Sequence, residues 1–350
     1  MDLLLFPWLG LPLWIWGAFI GTVLTVLAFD LGILHRQPRA IGVSESLALS
    51  ALYIGLGLVW AGAVYWIYAR HGGTGSLDPQ IAAAPTPDAR AWTAVKLYLT
   101  GFLVEKTLAL DNVFIISMIF TYFAVPQALQ HRVLFWGVVG VVVLRALMIG
   151  AGAALLAEFD WVMYLFGALL LATGVKMLRL VDHRPDIASN PVLRWLQRRL
   201  RVTDRLHGQA FTVRLPDPAT GRPSLHATPL LLCLILVEMA DLVFAIDSVP
   251  AILAITPDPF IVYTSNIFAI LGLRALTFAL AAVVHRFEYL KYALALVLIF
   301  IGTKIFLGDW LFDGKVPPSI SLGVTGALLA GGIAYSWWKT GPGRVAGRTG

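Results

Sequence analysis

Long apolar runs recur from one end of this 350-residue chain to the other. A helix rises about 1.5 Å per residue, so about 20 apolar residues cross a hydrocarbon core of about 30 Å. The chain is 59% hydrophobic and only 13% charged, which leaves too little polar surface for a water-soluble domain. The sequence therefore predicts an all-α polytopic membrane protein. Nine spans are predicted, at 13–34, 46–69, 95–122, 133–156, 160–179, 229–255, 260–283, 289–308 and 318–338.

The basic residues between the spans predict the orientation. With the N-terminus outside, 17 lysines and arginines fall on the cytoplasmic connections and tail, against four on the opposite side. Cytoplasmic segments of membrane proteins carry such an excess. We therefore predict an outer N-terminus and a cytoplasmic C-terminus, and we assign the net charge of +6 to topology rather than to binding of nucleic acid.

Two long connections lie between the spans. The cytoplasmic one, 181–228, is basic, and its segment 191–201 predicts an amphipathic helix with Val192, Leu193, Leu196 and Leu200 on one face. Two interpretations are open: a helix lying on an anionic leaflet, or a solvated connector that helps to fix orientation. Residues 211–221 predict a small β-hairpin. The segment 70–94, rich in glycine and proline, predicts an exposed outer loop.

Two predicted spans carry polar side chains in the middle of apolar sequence. A charge at the centre of a bilayer costs at least about 2.5–3.5 kcal/mol, so it must face a partner, a cavity or an ion. The two segments are therefore the candidate functional site. Their polar side chains are Glu105, Asp111 and Asn112 in the third span and Glu238, Asp241 and Asp247 in the sixth.

The two acidic spans belong to a longer internal similarity. The alignment pairs Glu105 with Asp241, Asp111-Asn112 with Asp247-Ser248, Arg145 with Arg274, Gly174 with Gly302 and Lys176 with Lys304. Each copy has three spans, so the second must be inverted, a plan that recurs in secondary transporters with the substrate at the repeat interface.

One membrane domain is predicted, comprising the first two spans and outer loop (13–94), repeat 1 (95–180), the basic loop (181–228), repeat 2 (229–308) and the ninth span with the cytoplasmic tail (309–350).

Helical geometry limits how these oxygens meet. Glu105 and Asp111 are six residues apart, which is about 120° around an ideal helix, whereas Asn112, seven residues from Glu105, shares its face. The same spacing separates the second copy's acids. Local unwinding is expected to gather the rest, and Pro250, which lacks an N–H, frees the backbone carbonyl of Ile246.

The donors indicate a hard cation. Carboxylates, the Asn112 amide, the Ser248 hydroxyl and a released carbonyl are all oxygen donors, which suit Mg²⁺, Ca²⁺ or Mn²⁺. All seven histidines lie in loops or at span ends. Met239 is the one soft candidate ligand, and ordinary packing is its alternative.

Charges of the opposite sign also fall within the spans. Each base either pairs with an acid to hold the bundle together or takes part in coupling, because an incoming divalent ion must displace a cation or protons. Exchange of metal for protons is therefore expected. No enzyme motif is present, so neither an enzyme nor a resident cofactor is predicted. The auxiliary charges are Asp30, Lys106, Arg145, Lys176, Arg274 and Lys304.

Three motifs resemble one known family over residues 12–338. They are Ala28-Phe-Asp30-Leu-Gly, Leu103-Val-Glu105-Lys-Thr-Leu-Ala-Leu-Asp111-Asn112 and Leu236-Val-Glu238-Met-Ala-Asp241-Leu-Val-Phe-Ala-Ile-Asp247-Ser-Val-Pro250. They resemble the TerC/Alx family of integral membrane proteins, which usually has Ile-Ser at Met239-Ala240. The resemblance implies Mn²⁺ export from the bacterial cytoplasm through the inner membrane, a link to tellurium resistance, and kinship with lysine-exporter-like transporters. It also implies that the two acidic motifs form the ion path.

Two other functions stay open. The chain could be a membrane scaffold that supplies metal to, or acts with, secretion machinery through the loop 180–228, and deleting 192–205 would then remove its effect but not transport. It could instead carry an oxyanion such as tellurite on its intramembrane bases. In that case Arg145→Gln would abolish protection against tellurite and Asp111→Asn would not.

Overall fold

The computed structural model describes residues 6–32, 42–71, 76, 78–179, 187–216, 222–281, 289–311 and 316–340. The described residues are mainly helical, as the apolar runs predict. The helices are α1 (Leu13–Gly32), α2 (Val43–Arg70), α3 (Pro79–Ala82), α4 (Pro87–Tyr122), α5 (Gln127–Glu158), α6 (Trp161–Arg179), α7 (Pro191–Arg199), α8 (Pro229–Ile255), α9 (Pro259–Ile270), α10 (Leu273–Ala281), α11 (Leu290–Leu311) and α12 (Pro318–Lys339). Two short antiparallel hairpins pair β1 (Pro7–Trp8) with β2 (Leu11–Pro12) and β3 (Thr212–Pro216) with β4 (Pro223–Ala227).

Six of the described helices are long and apolar enough to cross a membrane, namely α2, α5, α6, α8, α11 and α12. They correspond to the second, fourth, fifth, sixth, eighth and ninth predicted spans. The first predicted span is represented by a shorter apolar stretch, Leu13–Phe29. The third lies in α4, which has 36 residues and carries the charges of the first acidic motif. The chain is therefore a multi-pass helical membrane protein, while the number of nine spans and the orientation stay predictions.

The seventh predicted span, 260–283, is interrupted. α9 ends at Ile270 and α10 begins at Leu273, so two helices rather than one occupy this predicted span. Gly272 has a φ of +82°, which residues with side chains rarely adopt, and a Cβ there would lie 2.6 Å from Cβ of Tyr53. A lone glycine in an apolar run was the only sequence signal for this break. The last carbonyls of α9 are thus left without helical partners inside the bundle.

The segment 70–94 is only partly a loop, contrary to its prediction. It contains α3 and the beginning of α4, and Ile81 and Ala91 are fully buried. Each helix has a proline in its first turn and a capping side chain before it. Asp78 accepts from the Gln80 N–H at 2.8 Å, and Thr86 accepts from the Ala89 N–H at 3.1 Å.

The same segment is joined to the start of α9 by hydrogen bonds. The buried carboxylate of Asp258 accepts from the hydroxyls of Tyr68 at 2.5 Å and Ser76 at 2.7 Å, and it caps α9. Burial raises the pKa of the Asp258 carboxyl, and the two hydroxyls that donate to it act in the opposite direction. These contacts fix the N-terminal end of α9 to α2.

The basic loop folds onto one end of the helix bundle. Leu193 and Leu196 of α7 are buried in a cluster with residues of α4, α5 and α8. The protein itself therefore covers the Leu193 and Leu196 side of α7, so that side does not lie on a leaflet, whereas Leu200, which follows α7, is exposed. Trp195 and the arginines of α7 remain exposed. β3 and β4 confirm the predicted hairpin, whose turn at 217–221 is outside the described residues.

Helices of the two predicted repeats pack against one another. α4 packs along α8 and α9, α8 also packs along α5, and α6 packs along α11. Two glycines allow the close approach of α6 and α11. A Cβ at Gly174 would lie 2.8 Å from the carbonyl oxygen of Ala295, and a Cβ at Gly302 would lie 2.8 Å from that of Gly167.

Replacing Gly174 by alanine is expected to destabilise the protein by about 1–3 kcal/mol, the usual cost of overpacking. The added methyl group would meet backbone, which cannot turn aside as a flexible side chain can. Thermal unfolding of the purified protein in detergent measures the effect. Gly62→Ala is the matched control, because nothing lies within 4 Å of its Cβ position. Equal midpoints for the two variants would contradict the described α6–α11 contact.

Candidate functional site

Arg145 of α5 is the largest of the fully buried side chains described, with 1% of its surface exposed. Its guanidinium donates to the Glu105 carboxylate of α4. It also makes a bidentate contact with Asp241 of α8, in which Nη2 donates to Oδ1 at 3.2 Å and Nε donates to Oδ2 at 3.4 Å. Nη1 also donates to Ser248 Oγ at 3.1 Å and to Asn266 Oδ1 of α9 at 3.3 Å. Four helices of the two predicted repeats therefore meet at one guanidinium.

Residues seven apart on the same helix supply most of this cluster. Glu105 and Asn112 share a face of α4, and Asp241 and Ser248 share a face of α8, because seven residues make almost two full helical turns. These two pairs are equivalent in the predicted repeat alignment. The spacing thus explains how two regular helices present four polar groups to Arg145 and its surroundings.

Asn112 connects the cluster to a small cavity between α4, α5 and α8. Its Nδ2 donates to Asp241 Oδ1 at 3.1 Å, and because a carboxylate only accepts, the Asn112 oxygen must face the other way. That oxygen is buried and has no hydrogen-bond partner. Asn112 and Asp241 line the cavity among apolar side chains such as Val138 and Phe244. The space open to the centre of a water molecule is about 10 Å³, room for one water or one ion.

Lys106 lies beside the cluster, at the break between α9 and α10. Its Nζ donates to the carbonyl oxygens of Ala269 at 2.9 Å and Leu271 at 3.3 Å. The ammonium therefore satisfies carbonyls that the end of α9 leaves unpaired, and its charge suits the negative end of the helix dipole. Lys106 has backbone partners here rather than the carboxylate partner that charge pairing predicts.

Two of the predicted acids lie apart from Arg145. Asp247 is half-buried and accepts from Thr173 Oγ1 of α6 at 2.8 Å. Glu238 is also half-buried, and its carboxylate occupies the position that a Cβ on Gly140 of α5 would take. Asp241 and Asp247 thus point to different helices, as their spacing of six residues predicts.

The expected unwinding of the sixth span does not occur. α8 is one helix from Pro229 to Ile255 with Pro250 inside it. A proline in a membrane helix removes one hydrogen bond, and neighbouring helices can compensate for that loss. The interruption lies in the following span, at Gly272, so the acids of α8 are brought to different neighbours rather than to one another.

The remaining predicted residues lie elsewhere or are not described. The side chains of Asp30, Asp111 and Arg274 are outside the described part of the chain. Lys176 is exposed near the end of α6, while Lys304 and Met239 are half-buried on α11 and α8. Among described side chains, no three from His, Cys, Asp and Glu lie close enough to hold a metal ion between them.

Sequence reasoning missed two polar side chains that matter here. Asn266 receives from Arg145 and donates from Nδ2 to Glu105 Oε2 at 3.2 Å, and Thr173 donates to Asp247. Both stand in apolar runs, and the same argument that singled out the acids applies to a buried amide. Their partners lie 161 and 74 residues away, so no local spacing pointed to them.

The charges of the cluster do not cancel among its described members. Two carboxylates, Glu105 and Asp241, face one guanidinium, and all three are at most 4% exposed. Buried charge of one sign has to be neutralised, and here one cation neutralises part of it. With oxygen acceptors on several sides and little water, the cluster is built to hold a cation.

Comparisons with known proteins agree with the helical membrane architecture. A family model described as "Integral membrane protein TerC family" matches residues 90–342. An Escherichia coli (strain K12) protein named "Putative membrane-bound redox modulator Alx" is 44% identical over 330 residues, covering 94% of this chain and 95% of its own. An uncharacterized membrane protein of Myxococcus xanthus is 41% identical over 336 residues, covering 96% and 95%. No solved structure matches the chain.

Proposed function

Because the chain belongs to the TerC family of integral membrane proteins, we propose that it exports a divalent metal cation, Mn²⁺, across the bacterial inner membrane in exchange for protons. The proposed route passes through the cluster around Asp241, between the two predicted repeats. The cation would also bind in turn at three other acids along this route, which would not all coordinate it at one point: Asp111, Glu238 and Asp247.

One observation carries the proposal. The Asn112 oxygen is buried without a hydrogen-bond partner, and the Asn112 and Asp241 side chains both line an adjoining ion-sized cavity. Leaving a buried acceptor unsatisfied costs free energy, about 1–3 kcal/mol, which a bound cation or its water would recover. A carboxylate and an amide oxygen are the donors that hard divalent ions prefer.

The packing of the helices supports the inverted repeat that this route needs. Under the predicted equivalence, α4 corresponds to α8, α9 to α5, and α6 to α11. The contact of α4 with α9 then has its counterpart in the contact of α8 with α5, and α6 packs along its own counterpart. Gly174 and Gly302, equivalent in the sequence alignment, both lie at the α6–α11 contact. Polar groups at such an interface are typical of secondary transporters.

The name of the Escherichia coli relative refers to redox modulation. This chain has one cysteine, Cys233, which is buried, so it cannot form a dithiol–disulfide couple within itself. Export of Mn²⁺, a redox-active metal, is compatible with that name. The oxygen donors do not distinguish Mn²⁺ from Mg²⁺ or Ca²⁺, and the choice of Mn²⁺ rests on the family resemblance.

Transport by the purified protein in liposomes tests the proposal. Mn²⁺ flux is expected only in vesicles that contain the protein, and an opposed pH gradient should accelerate it, with protons moving the other way. The measurement pairs a Mn²⁺-sensitive dye with a pH-sensitive dye and repeats the assay with Mg²⁺, Ca²⁺ and tellurite. Absence of divalent-cation flux with either gradient would contradict the proposal, and flux of tellurite alone would favour the oxyanion alternative.

A further inference from the structure

We infer that Arg145 and the transported cation take turns on the Glu105–Asp241 pair, so that the guanidinium is the built-in counter-ion of the cation-free protein. This inference rests on the proposed function, because it assigns a role within that same site. It makes Arg145 a residue that sets how tightly the cation binds and how readily it leaves.

Both carboxylates are already bonded to Arg145 in the described structure. Arg145 donates from Nη1 to Glu105, and from Nε and Nη2 to the two carboxylate oxygens of Asp241. All three side chains are buried, so water cannot replace these hydrogen bonds if they are lost. The negative charge of the pair therefore has to be neutralised at all times, and in the described structure the guanidinium does so.

A divalent ion and the guanidinium compete for these oxygens, because Asp241 Oδ1 already accepts from both Arg145 Nη2 and Asn112 Nδ2. A hard divalent ion binds its oxygen ligands at about 2.0–2.6 Å. An ion on Asp241 would approach the same Oδ1 that receives Nη2, and two positive groups at that distance in a dry site repel strongly. Binding of the ion therefore requires that Arg145 release Asp241.

The surroundings of the cluster include a cavity that a cation can occupy and neutral hydrogen-bond acceptors that can hold the displaced guanidinium. Asn112 and Asp241 are the two described polar side chains that line the cavity, so an ion that enters it meets these two residues. On its other side, Nη1 is already bonded to Ser248 and Asn266, two neutral acceptors. These can keep the displaced guanidinium in place, from where it can return and expel the ion.

Removing the guanidinium should therefore tighten cation binding and slow transport. In the purified full-length protein, Arg145→Ala is expected to bind Mn²⁺ about tenfold more tightly or better than the wild type, since two buried carboxylates lose their counter-ion. Loss of the Mn²⁺ electron paramagnetic resonance signal on binding measures the affinity. Soluble guanidinium, at concentrations well below those that unfold the protein, should restore weak binding in Arg145→Ala by competition and leave the wild type unaffected.

Arg179→Ala is the matched control, because Arg179 is exposed at the end of α6, and it should bind Mn²⁺ as the wild type does. Arg145→Lys provides a second variant if alanine prevents folding. A single ammonium cannot bridge both carboxylates as the guanidinium fork does, so it too should bind Mn²⁺ more tightly than the wild type. Wild-type or weaker affinity in both Arg145 variants, with Mn²⁺ binding intact in the wild type, would overturn this inference alone. Absence of Mn²⁺ binding in the wild type and every variant would overturn the proposed function as well.

Discussion

Asp241→Asn is expected to reduce Mn²⁺ transport by more than about 100-fold, since replacing even the indirect partners of a metal ligand costs about 10–100-fold. Asp241 is the one described carboxylate that contacts Arg145, Asn112 and the cavity together. Asparagine has nearly the same shape, so the helices should still pack, but it cannot supply the negative charge that a divalent cation requires. The variant should therefore insert and fold yet fail to carry the ion.

Inside-out membrane vesicles loaded with a Mn²⁺ dye measure this loss, with protein amounts matched by immunoblot. Asp160→Asn is the control, because Asp160 is exposed between α5 and α6, and it should transport normally. Asp247→Asn should show a smaller defect than Asp241→Asn, because Asp247 binds Thr173 outside the Arg145 cluster. Normal uptake by Asp241→Asn would remove the cluster from the ion path.

Glu105→Gln is expected to lower the free energy of unfolding by about 1–2 kcal/mol, because it turns a charged hydrogen bond to Arg145 into a neutral one while Asp241 still balances the guanidinium. Glutamine fills the same space and still accepts a hydrogen bond, so the loss reports on charge rather than on a cavity. Arg145 would keep Asp241 but lose its other anion, and it is too deeply buried to turn to water.

Denaturant unfolding in detergent micelles, followed by tryptophan fluorescence, measures this stability. Glu158→Gln makes the same chemical change at an exposed helix end and should alter the stability by less than about 0.5 kcal/mol. If the two variants were equally stable, the Glu105–Arg145 contact would contribute nothing to the fold, and the cluster would need another explanation.

The parts of this site that follow local periodicity were predictable from the sequence. The shared faces of Glu105 with Asn112 and of Asp241 with Ser248 depend only on helical repeat, as does the divergence of Asp241 from Asp247. Of the nine spans that the apolar runs predicted, six are present among the described residues as helices that can cross a membrane. Such features need no knowledge of which helices become neighbours.

The rest depended on contacts between distant segments. Arg145 was singled out, but its four partners on three other helices could not be read from its own surroundings. The buried face of α7 was recognised as apolar, yet only its packing on the bundle decided between lipid and protein as its partner. The break at Gly272 was missed because a single glycine in an apolar run is more often a packing residue than an interruption.

That break gives the chain a pivot near the charges. α9 is anchored by Asp258 at its N-terminal end, whereas α10 packs on α2, so tilting one against the other would bend the backbone at Gly272. The ammonium of Lys106 is bonded to the carbonyls on which such a tilt would pull, and its neighbour in the chain is Glu105. The Glu105–Lys106 dipeptide of α4 therefore connects the break in the seventh predicted span directly to the carboxylate that faces Arg145.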